Sequence, residues 1–269
     1  LSSEVAEQLL KNRGIAADEI DIIIIATVTP DHFTQSTAAN VQNNIGAKNA
    51  WGFDLSAACT GYLYGLETGS KFISSGKYDK VMVIGVDTMS SILDFDDRNT
   101  CVLFGDGAGS AILEPSTSNL GIIDSMLHMD GSGGGYLHVP GGGSRIPATI
   151  ESVEAKKHYI IQDGKKVFKF AVKGMADVSE KILDQNNMTG DDINLFIPHQ
   201  ANKRIIDAAS ERCNISKEKV LVNIDRFGNT TAGTIPIGMN EAVNNGRIQD
   251  GDIILLAAFG AGFTWGSML

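Results

Sequence analysis

Cys59 stands where the sequence changes from a strand to a helix, in the segment AACTGY. The strand is predicted to end near Ser56 and the helix to begin near Cys59. A thiol at a helix N-terminus meets the positive end of the helix dipole and free N–H groups, and both favour the nucleophilic thiolate. The small residues Ala57, Ala58 and Gly61 would let a substrate approach. The alternative is a buried apolar cysteine, and both interpretations stay open at this point.

His199 and Asn229 occupy comparable positions farther along the chain. An apolar strand leads up to His199 and a helix leads away, so the imidazole can be held rigidly and aimed at a cleft. The alternative is a histidine that caps a helix or lies in the core. Asn229 follows Gly228 in a turn signal after a strand predicted over 220–224. Taken alone, Asn229 is a turn residue or a helix cap.

Glycine-containing turns could bring backbone N–H groups to a ligand. Segment 259–266 is typical of a strand, a tight turn and a strand, and its small residues would let N–H groups stabilise an oxyanion. The alternative is a simple hairpin. The GDGAG segment at 105–109 lacks the GxGxxG spacing between strand and helix, which excludes a dinucleotide fingerprint. Segment 131–143 holds seven glycines and no phosphate-loop pattern.

The elements that must position these residues predict a layered α/β fold. Continuous apolar runs at 20–27 and 81–86 are typical of strands buried on both faces. Helical spacing occurs at 35–45 and 57–74, and strands that alternate with helices indicate an α/β architecture.

The sequence also resembles itself, which indicates an internal duplication. The matches are Asp18 with Asp191 at an offset of 173, Val81 with Ile253 and Cys59 with Thr231 at 172, and Phe104 with Phe259 at 155. The drop to 155 predicts 17 extra residues in one first-half loop, roughly 88–103. We therefore predict two α/β halves, residues 1–118 with Cys59 and residues 119–269 with His199 and Asn229. Their equivalent loops would meet at a shared interface, where small-molecule sites often lie.

Composition narrows the classes of protein. The chain has 269 residues, a net charge of −10 and 43% hydrophobic residues, which excludes a disordered chain and disfavours a general nucleic-acid binder. No apolar run approaches the ~20 residues of a membrane span, and the start carries no signal-peptide pattern. The three cysteines form no CxxC pair, so we expect neither a metal site nor disulfides, a reducing cytoplasmic setting, and structural roles for Cys101 and Cys213.

Five motifs together resemble the β-ketoacyl–acyl carrier protein synthase III family of the thiolase-like superfamily. They are AACTGY at Cys59, FGDGAG at Phe104, PHQAN at His199, GNTTAG at Asn229 and FGAGFTWG at Phe259. The resemblance covers essentially the whole chain. It implies a five-layer α/β/α/β/α fold and a homodimer, and it implies no cofactor, because acyl-CoA is a substrate.

The resemblance implies a decarboxylating condensation of an acyl-CoA, commonly acetyl-CoA, with malonyl–acyl carrier protein. Cys59 would be the acylated nucleophile, and His199 and Asn229 would stabilise the enolate that forms on decarboxylation. The N–H groups of Cys59 and Ala261 would form an oxyanion hole, and Phe259 would crowd the malonyl carboxylate. The products would be a 3-ketoacyl carrier protein, CoA and carbon dioxide.

Further positions follow from the same resemblance. Those implied to contact CoA or its pantetheine arm are Arg98, Phe168, Ala201 and Asn202, and those implied to dock the acidic carrier protein are Lys169, Arg204 and Arg212. A local basic patch can recruit an acidic partner to an acidic enzyme. A helix would place Lys165, Lys169 and Lys173 on one side. Without the resemblance, these charges would be interpreted as a solvent-exposed helix face.

The chain departs from the family pattern in three places. The family carries a longer N-terminal portion with a first core strand, so we expect this chain to lack that segment. Ala261 replaces the central glycine of the usual FGGGF turn. The glycine-rich loop after Gly131 also differs.

Several alternatives compete with this interpretation. A relative with the same three residues could use a branched, longer or polyketide starter. A non-catalytic module that binds the carrier protein is a second class, and the presence of all three residues argues against it. A thiolase is disfavoured because neither Cys101 nor Cys213 lies in a suitable motif, and hydroxymethylglutaryl-CoA synthase because no glutamate acid lies near Cys59.

Overall fold

The computed structural model describes residues 1–118 and 120–269, which form two four-stranded sheets, a small two-stranded sheet and the helices that cover them. The strands are β1 (Ile22–Ala26), β2 (Trp51–Leu55), β3 (Val81–Asp87), β4 (Gly107–Leu113), β5 (Ser125–Met129), β6 (Leu137–His138), β7 (Ile161–Gln162), β8 (Leu195–Pro198), β9 (Ile254–Gly260) and β10 (Thr264–Met268). The helices are α1 (Ser2–Arg13), α2 (Thr37–Ile45), α3 (Gly61–Ser74), α4 (Ile150–Glu154), α5 (Gly164–Gln185), α6 (Lys203–Arg212), α7 (Ile224–Phe227) and α8 (Thr234–Asn244).

The first sheet has the order β2-β1-β3-β4, with β4 antiparallel to β3 and the other pairs parallel. Every residue of β1 and β3 is buried, as their continuous apolar sequences predict. Side chains alternate between the two faces of a strand. Ile23 and Ile25 of β1 therefore pack with α1 and α2, whereas Ile22 and Ile24 pack with α3.

The second sheet has the order β5-β10-β9-β8, with β8 and β9 parallel and the other pairs antiparallel. Phe196 of β8 and Leu255 of β9 face α5 and α6. On the other face, Ile197 and Leu256 join the cluster that also contains α3, α8 and the inner face of the first sheet. Helices α3 and α8 thus form a middle layer, and the fold has the five layers that the resemblance predicts.

The two halves repeat each other with a constant register. Strands β1 and β8, strands β3 and β9, and helices α3 and α8 each begin 173 residues apart, and β4 and β10 begin 157 apart. The duplication is confirmed, and the extra length lies between β3 and β4 as predicted. Some of the residue pairs matched from the sequence are wrong. The register of the repeat is set by the backbone hydrogen bonds and not by similar residue types. Cys59 corresponds to Ala232 and not to Thr231, and Phe104 to Ala261 and not to Phe259.

One predicted strand is wrong. Residues 220–224 form only a single bridge between Val220 and Phe196, after which the chain enters the short helix α7. The boundary predicted between 118 and 119 falls at Asn119, which lies outside the described residues. No helix in the described part of the chain is long and apolar enough to cross a membrane.

Gly85 of β3 lies where the two halves approach each other closely. A Cβ added there would clash with the carbonyl oxygen of Ala232 and lie 3.1 Å from the ring of Tyr62. We expect Gly85→Ala to lower the free energy of unfolding by about 1–3 kcal/mol because backbone must move to accept the methyl group. Urea unfolding measures this, with Gly135→Ala as control, since nothing lies within 4 Å of its Cβ. Equal stabilities of the two variants would contradict the close approach.

Candidate active site

Cys59 lies in a single 3₁₀ turn, Ala58–Thr60, that leads directly into α3. Two hydrogen bonds tie this turn to the second half. Thr60 Oγ1 donates to Thr264 O at 3.1 Å, and Thr264 Oγ1 donates to Ala57 O at 2.9 Å. The end of β9 passes directly beside the turn, because a Cβ on Gly260 would lie 2.7 Å from Cys59 N. The N–H of Cys59 has no backbone acceptor within the described ranges.

The Cys59 thiol is 5% exposed, and burial raises its pKa to about 12, with a smaller contribution from the negative charge of Asp87. The position of Cys59 at a helix N-terminus instead predicts a lowered pKa for this thiol. The short turn is buried between the two packed halves, which removes the thiol from water. The desolvation cost of the thiolate then exceeds the benefit of the helix dipole. The resting thiol is therefore protonated at neutral pH and needs a proton acceptor.

His199 follows β8, and its backbone N–H donates to Ala257 O of β9 at 2.8 Å. Burial lowers the pKa of this imidazole to about 3, so it is neutral. Its Nδ1 lies 2.7 Å from Thr234 Oγ1, which also lies 3.1 Å from Thr231 O. When the Thr234 hydroxyl donates to Thr231 O, it accepts from Nδ1–H and Nε2 can accept a proton. When it donates to Nδ1, Nε2–H becomes a donor.

His199 Nε2 is buried and has no hydrogen-bond partner among residues 1–118 and 120–269. Buried polar atoms are nearly always paired, so an unpaired one is consistent with a place reserved for a ligand. Asn229 is held in place by hydrogen bonds of its backbone N–H and its side-chain oxygen. Its N–H donates to Leu103 O at 2.9 Å, and its Oδ1 accepts from Thr231 N at 2.9 Å. The acceptor end of the side chain is therefore occupied.

One cavity of about 370 Å³ brings together residues from both halves. Cys59 comes from the first half, and His199 and Asn229 come from the second. The predicted residues that also line it are Phe259, Phe168, Ala201, Asn202 and Arg204. The Arg204 guanidinium lies 4.7 Å from the centre of the Phe168 ring and is stacked over it.

A second cavity of about 440 Å³ meets the first at Cys59 and Phe104. Its lining is mainly apolar and includes Met89, Ile160 and Ala261. Ala261 lies in the β9–β10 turn, and the residue with positive φ there is Gly262, at 136°. Alanine at 261 therefore needs no left-handed backbone.

Three predicted residues lie outside both cavities. Arg98 is exposed in the loop between β3 and β4, and Lys169 is exposed on α5. Arg212 forms ion pairs with Asp177 at 3.1 Å and Glu180 at 3.3 Å, so its charge is compensated within the chain.

Sequence reasoning missed Asp87, Thr231 and Thr234. Asp87 is fully buried at the end of β3, and Thr231 and Thr234 contact the Asn229 and His199 side chains. A signal existed for Asp87, because an acidic residue directly after a buried apolar run lies at the carboxyl end of a strand, where sites form in α/β sheets. The two threonines carried no signal apart from their neighbourhood of Asn229.

The chain matches models of two families: 3-oxoacyl-[acyl-carrier-protein] synthase III at residues 53–131 and the C-terminal region of the same synthase at residues 183–269. It is 56% identical to the β-ketoacyl-[acyl-carrier-protein] synthase III of Chlorobaculum tepidum over 100% of this chain and 82% of that protein. Against the Koribacter versatilis synthase it is 52% identical, over 100% of this chain and 81% of that one.

Solved structures give the same result. The 3-oxoacyl-[acyl-carrier-protein] synthase III of Aquifex aeolicus superposes with a TM-score of 0.92 at 40% identity, over 100% of this chain and 82% of that one. The corresponding synthase of Thermus thermophilus has a TM-score of 0.92 at 39% identity with the same coverage. The chain thus spans about four fifths of these relatives.

Because the pKa of Cys59 is about 12, alkylation of this thiol should be slow at pH 7 and rise about tenfold per pH unit up to pH 10, without a plateau. Iodoacetamide labelling followed by peptide mass spectrometry measures the rate at Cys59 alone. The partly exposed Cys101 serves as an internal reference for reagent quality. A plateau for Cys59 below pH 8 would show a thiolate in the resting protein and contradict this electrostatic account.

Proposed function

The chain belongs to the β-ketoacyl–acyl carrier protein synthase III family, and we propose that Cys59, His199 and Asn229 carry the reaction of this acyltransferase. The reaction is the initiating condensation of fatty acid synthesis, with acetyl-CoA as the usual starter. The observation that carries the assignment of residues is the single cavity lined by all three. The polyketide-starter and non-catalytic alternatives are not favoured.

In the first step, His199 Nε2 accepts the proton of the Cys59 thiol, which is otherwise neutral. The thiolate attacks the thioester carbonyl of acetyl-CoA, and the CoA thiolate leaves and takes up a proton. The tetrahedral oxyanion would lie against the N–H groups of Cys59 and Ala261, neither of which has a backbone acceptor in the described part of the chain. The apolar cavity behind Cys59 would hold the acyl group.

In the second step, malonyl–carrier protein enters the first cavity and loses carbon dioxide. Its thioester oxygen gains negative charge, which Nε2–H of His199 and the Asn229 amide would stabilise. Such donors are most effective in a buried site because water does not screen them. Phe259 lines the same cavity, and its ring would crowd the malonyl carboxylate and so favour the loss of carbon dioxide. The carbanion then attacks the acetyl carbonyl carbon, the C–S bond to Cys59 breaks, and the released Cys59 thiolate takes up a proton from solvent.

The carrier protein would dock at the mouth of this cavity. Lys165 and Arg204 line the opening, and Lys169 is exposed on the same helix as Lys165. We propose that Lys169 and Arg204 contact the acidic carrier protein and that Phe168, Ala201 and Asn202 line the pantetheine path. Arg212 contributes less because Asp177 and Glu180 already neutralise it.

The other proposals concern assembly and environment. Strand β2 forms an open edge of the first sheet, and Trp51 on it is 45% exposed beside Phe72 and Tyr78. An exposed edge of this kind favours a homodimer, which light scattering would overturn by showing only monomer. The three free cysteines support a cytoplasmic location. We propose no cofactor, and we propose that Arg98 contacts the CoA nucleotide.

Incubation with acetyl-CoA should add one acetyl group to the intact protein, because Cys59 becomes acylated. Intact-mass spectrometry measures the gain, and Cys59→Ala should abolish it. Cys213→Ala, which removes a second buried thiol outside the site, should acetylate like the wild type. Acetylation that persists in Cys59→Ala would contradict the proposed nucleophile. A panel of longer and branched acyl-CoAs would define the starter range.

Reversal of charge at Lys169 should weaken docking of the carrier protein. We expect Lys169→Glu to raise KM for malonyl–carrier protein about tenfold at low salt, with little change in KM for acetyl-CoA, because only the protein substrate is a large polyanion. The control is Lys11→Glu, on an exposed lysine of α1 in the first half. Equal effects of the two variants would place docking elsewhere.

A further inference from the structure

Asp87 is a fully buried carboxylate that joins the two halves of the molecule. Its Oδ1 accepts hydrogen bonds from the segment that follows β1. The donors there are Thr27 Oγ1 at 3.0 Å, Val28 N at 2.7 Å, and Thr29 N and Oγ1 at 3.2 and 3.0 Å. This side of the carboxylate belongs to the first half.

The second oxygen, Oδ2, accepts from the turn of the second half that precedes α8. Thr231 Oγ1 and Ala232 N are the donors, the latter at 3.3 Å. Thr231 has a φ of 49°, in the left-handed region, which β-branched residues rarely adopt. Contacts must hold such a residue in place. Asp87 provides two of them, one to the Thr231 hydroxyl and one to the N–H of Ala232.

Thr231 is in turn linked to both side chains that the decarboxylation step would use, directly to Asn229 and through Thr234 to His199. Its N–H donates to Asn229 Oδ1 at 2.9 Å. Its carbonyl oxygen lies 3.1 Å from Thr234 Oγ1, which lies 2.7 Å from His199 Nδ1. A displacement of this one residue would therefore move the Asn229 amide and change the partner that fixes the His199 ring.

The internal repeat shows what Asp87 does at this position. The register of 173 pairs Ala232 with Cys59 and Asp87 with Gly260. In the second half, the N–H of Ala232 is occupied by the Asp87 carboxylate. Beside Cys59 of the first half, Gly260 stands at the corresponding place, and the N–H of Cys59 has no backbone acceptor in the described part of the chain. The same turn thus binds an internal carboxylate in one half and would bind an oxyanion in the other.

We propose that Asp87 is a positioning residue for decarboxylation, which acts through Thr231 to hold His199 and Asn229 in reactive geometry. This inference rests on the proposed function. The chemistry of the contacts requires a carboxylate, because the backbone N–H groups on both oxygens can only donate. An asparagine would direct its own NH₂ at one of these sets of donors. Asp87→Asn is therefore a nearly isosteric change that breaks one side of the bridge.

The test measures the two partial reactions separately. Single-turnover intact-mass spectrometry gives the rate of Cys59 acetylation by acetyl-CoA, and carbon dioxide release gives the rate of malonyl–carrier protein decarboxylation at saturation. Decarboxylation uses both side chains that Thr231 holds, whereas acetylation uses one, and loss of the Asp87 charge favours the Cys59 thiolate. We expect Asp87→Asn to lower decarboxylation by on the order of 10- to 100-fold more than acetylation, since small displacements cost rates of this size.

A second pair of variants keeps the test decisive if Asp87→Asn fails to fold. Thr231→Val removes the hydroxyl that contacts Asp87 and should lower decarboxylation selectively, whereas Thr231→Ser retains it and should remain close to the wild type. Asp54→Asn is the matched control. Asp54 accepts from Thr37 N at 2.7 Å and Ala38 N at 2.9 Å at the start of α2, in the first half only. It should change stability without changing the ratio of the partial rates.

A structural role alone would lower both rates by the same factor, and that result would overturn the inference, as would equal behaviour of Thr231→Ser and Thr231→Val. Failure of the wild-type protein in both partial reactions would instead overturn the proposed function, and the inference would fall with it.

Discussion

Each half of this molecule places the turn before its middle-layer helix on the carboxyl end of a central strand of the other half. The turn with Cys59 lies beside Gly260 of β9, and the turn with Ala232 lies beside Gly85 of β3. Both approaches are close enough that a side chain at either glycine would meet backbone atoms. Because of this crossed arrangement, Cys59 from one half lines the same cavity as His199 and Asn229 from the other half. Neither half contains the three residues by itself.

The same packing determines the electrostatics of the site. Burial raises the pKa of the Cys59 thiol to about 12 and lowers that of the His199 imidazole to about 3, so both groups are neutral at rest. This buried pair carries no charge until a substrate arrives. Charge then develops on substrate oxygens, where buried donors have the greatest effect. The Thr234 hydroxyl, placed between His199 and Thr231, would allow the imidazole to accept a proton in the first proposed step and to donate a hydrogen bond in the second.

The sequence predicted the elements whose signals are local. The runs that became β1 and β3 are buried on both faces, and continuous β-branched sequence is typical of such strands. The strand-to-helix settings of Cys59 and His199 are also local and are confirmed as structure. The predicted register of the repeat is one residue off at Cys59 and two residues off at Phe104, because residue types recur by chance whereas the hydrogen-bond ladder does not. The direction of the Cys59 pKa depends on burial in the folded chain, and the contacts of Asp87 join residues 58 to 145 positions apart, so no local pattern contains either feature.

The most direct test of this account is a chase of the acetylated enzyme with malonyl–carrier protein, followed by intact-mass spectrometry. Wild-type protein should lose the acetyl group from Cys59 as 3-ketoacyl carrier protein forms. Asn229→Ala, once acetylated, should retain the group, because the residue is needed for the carbanion and not for the thioester. Discharge of acetylated Asn229→Ala at the wild-type rate would contradict the joint site formed by the two halves.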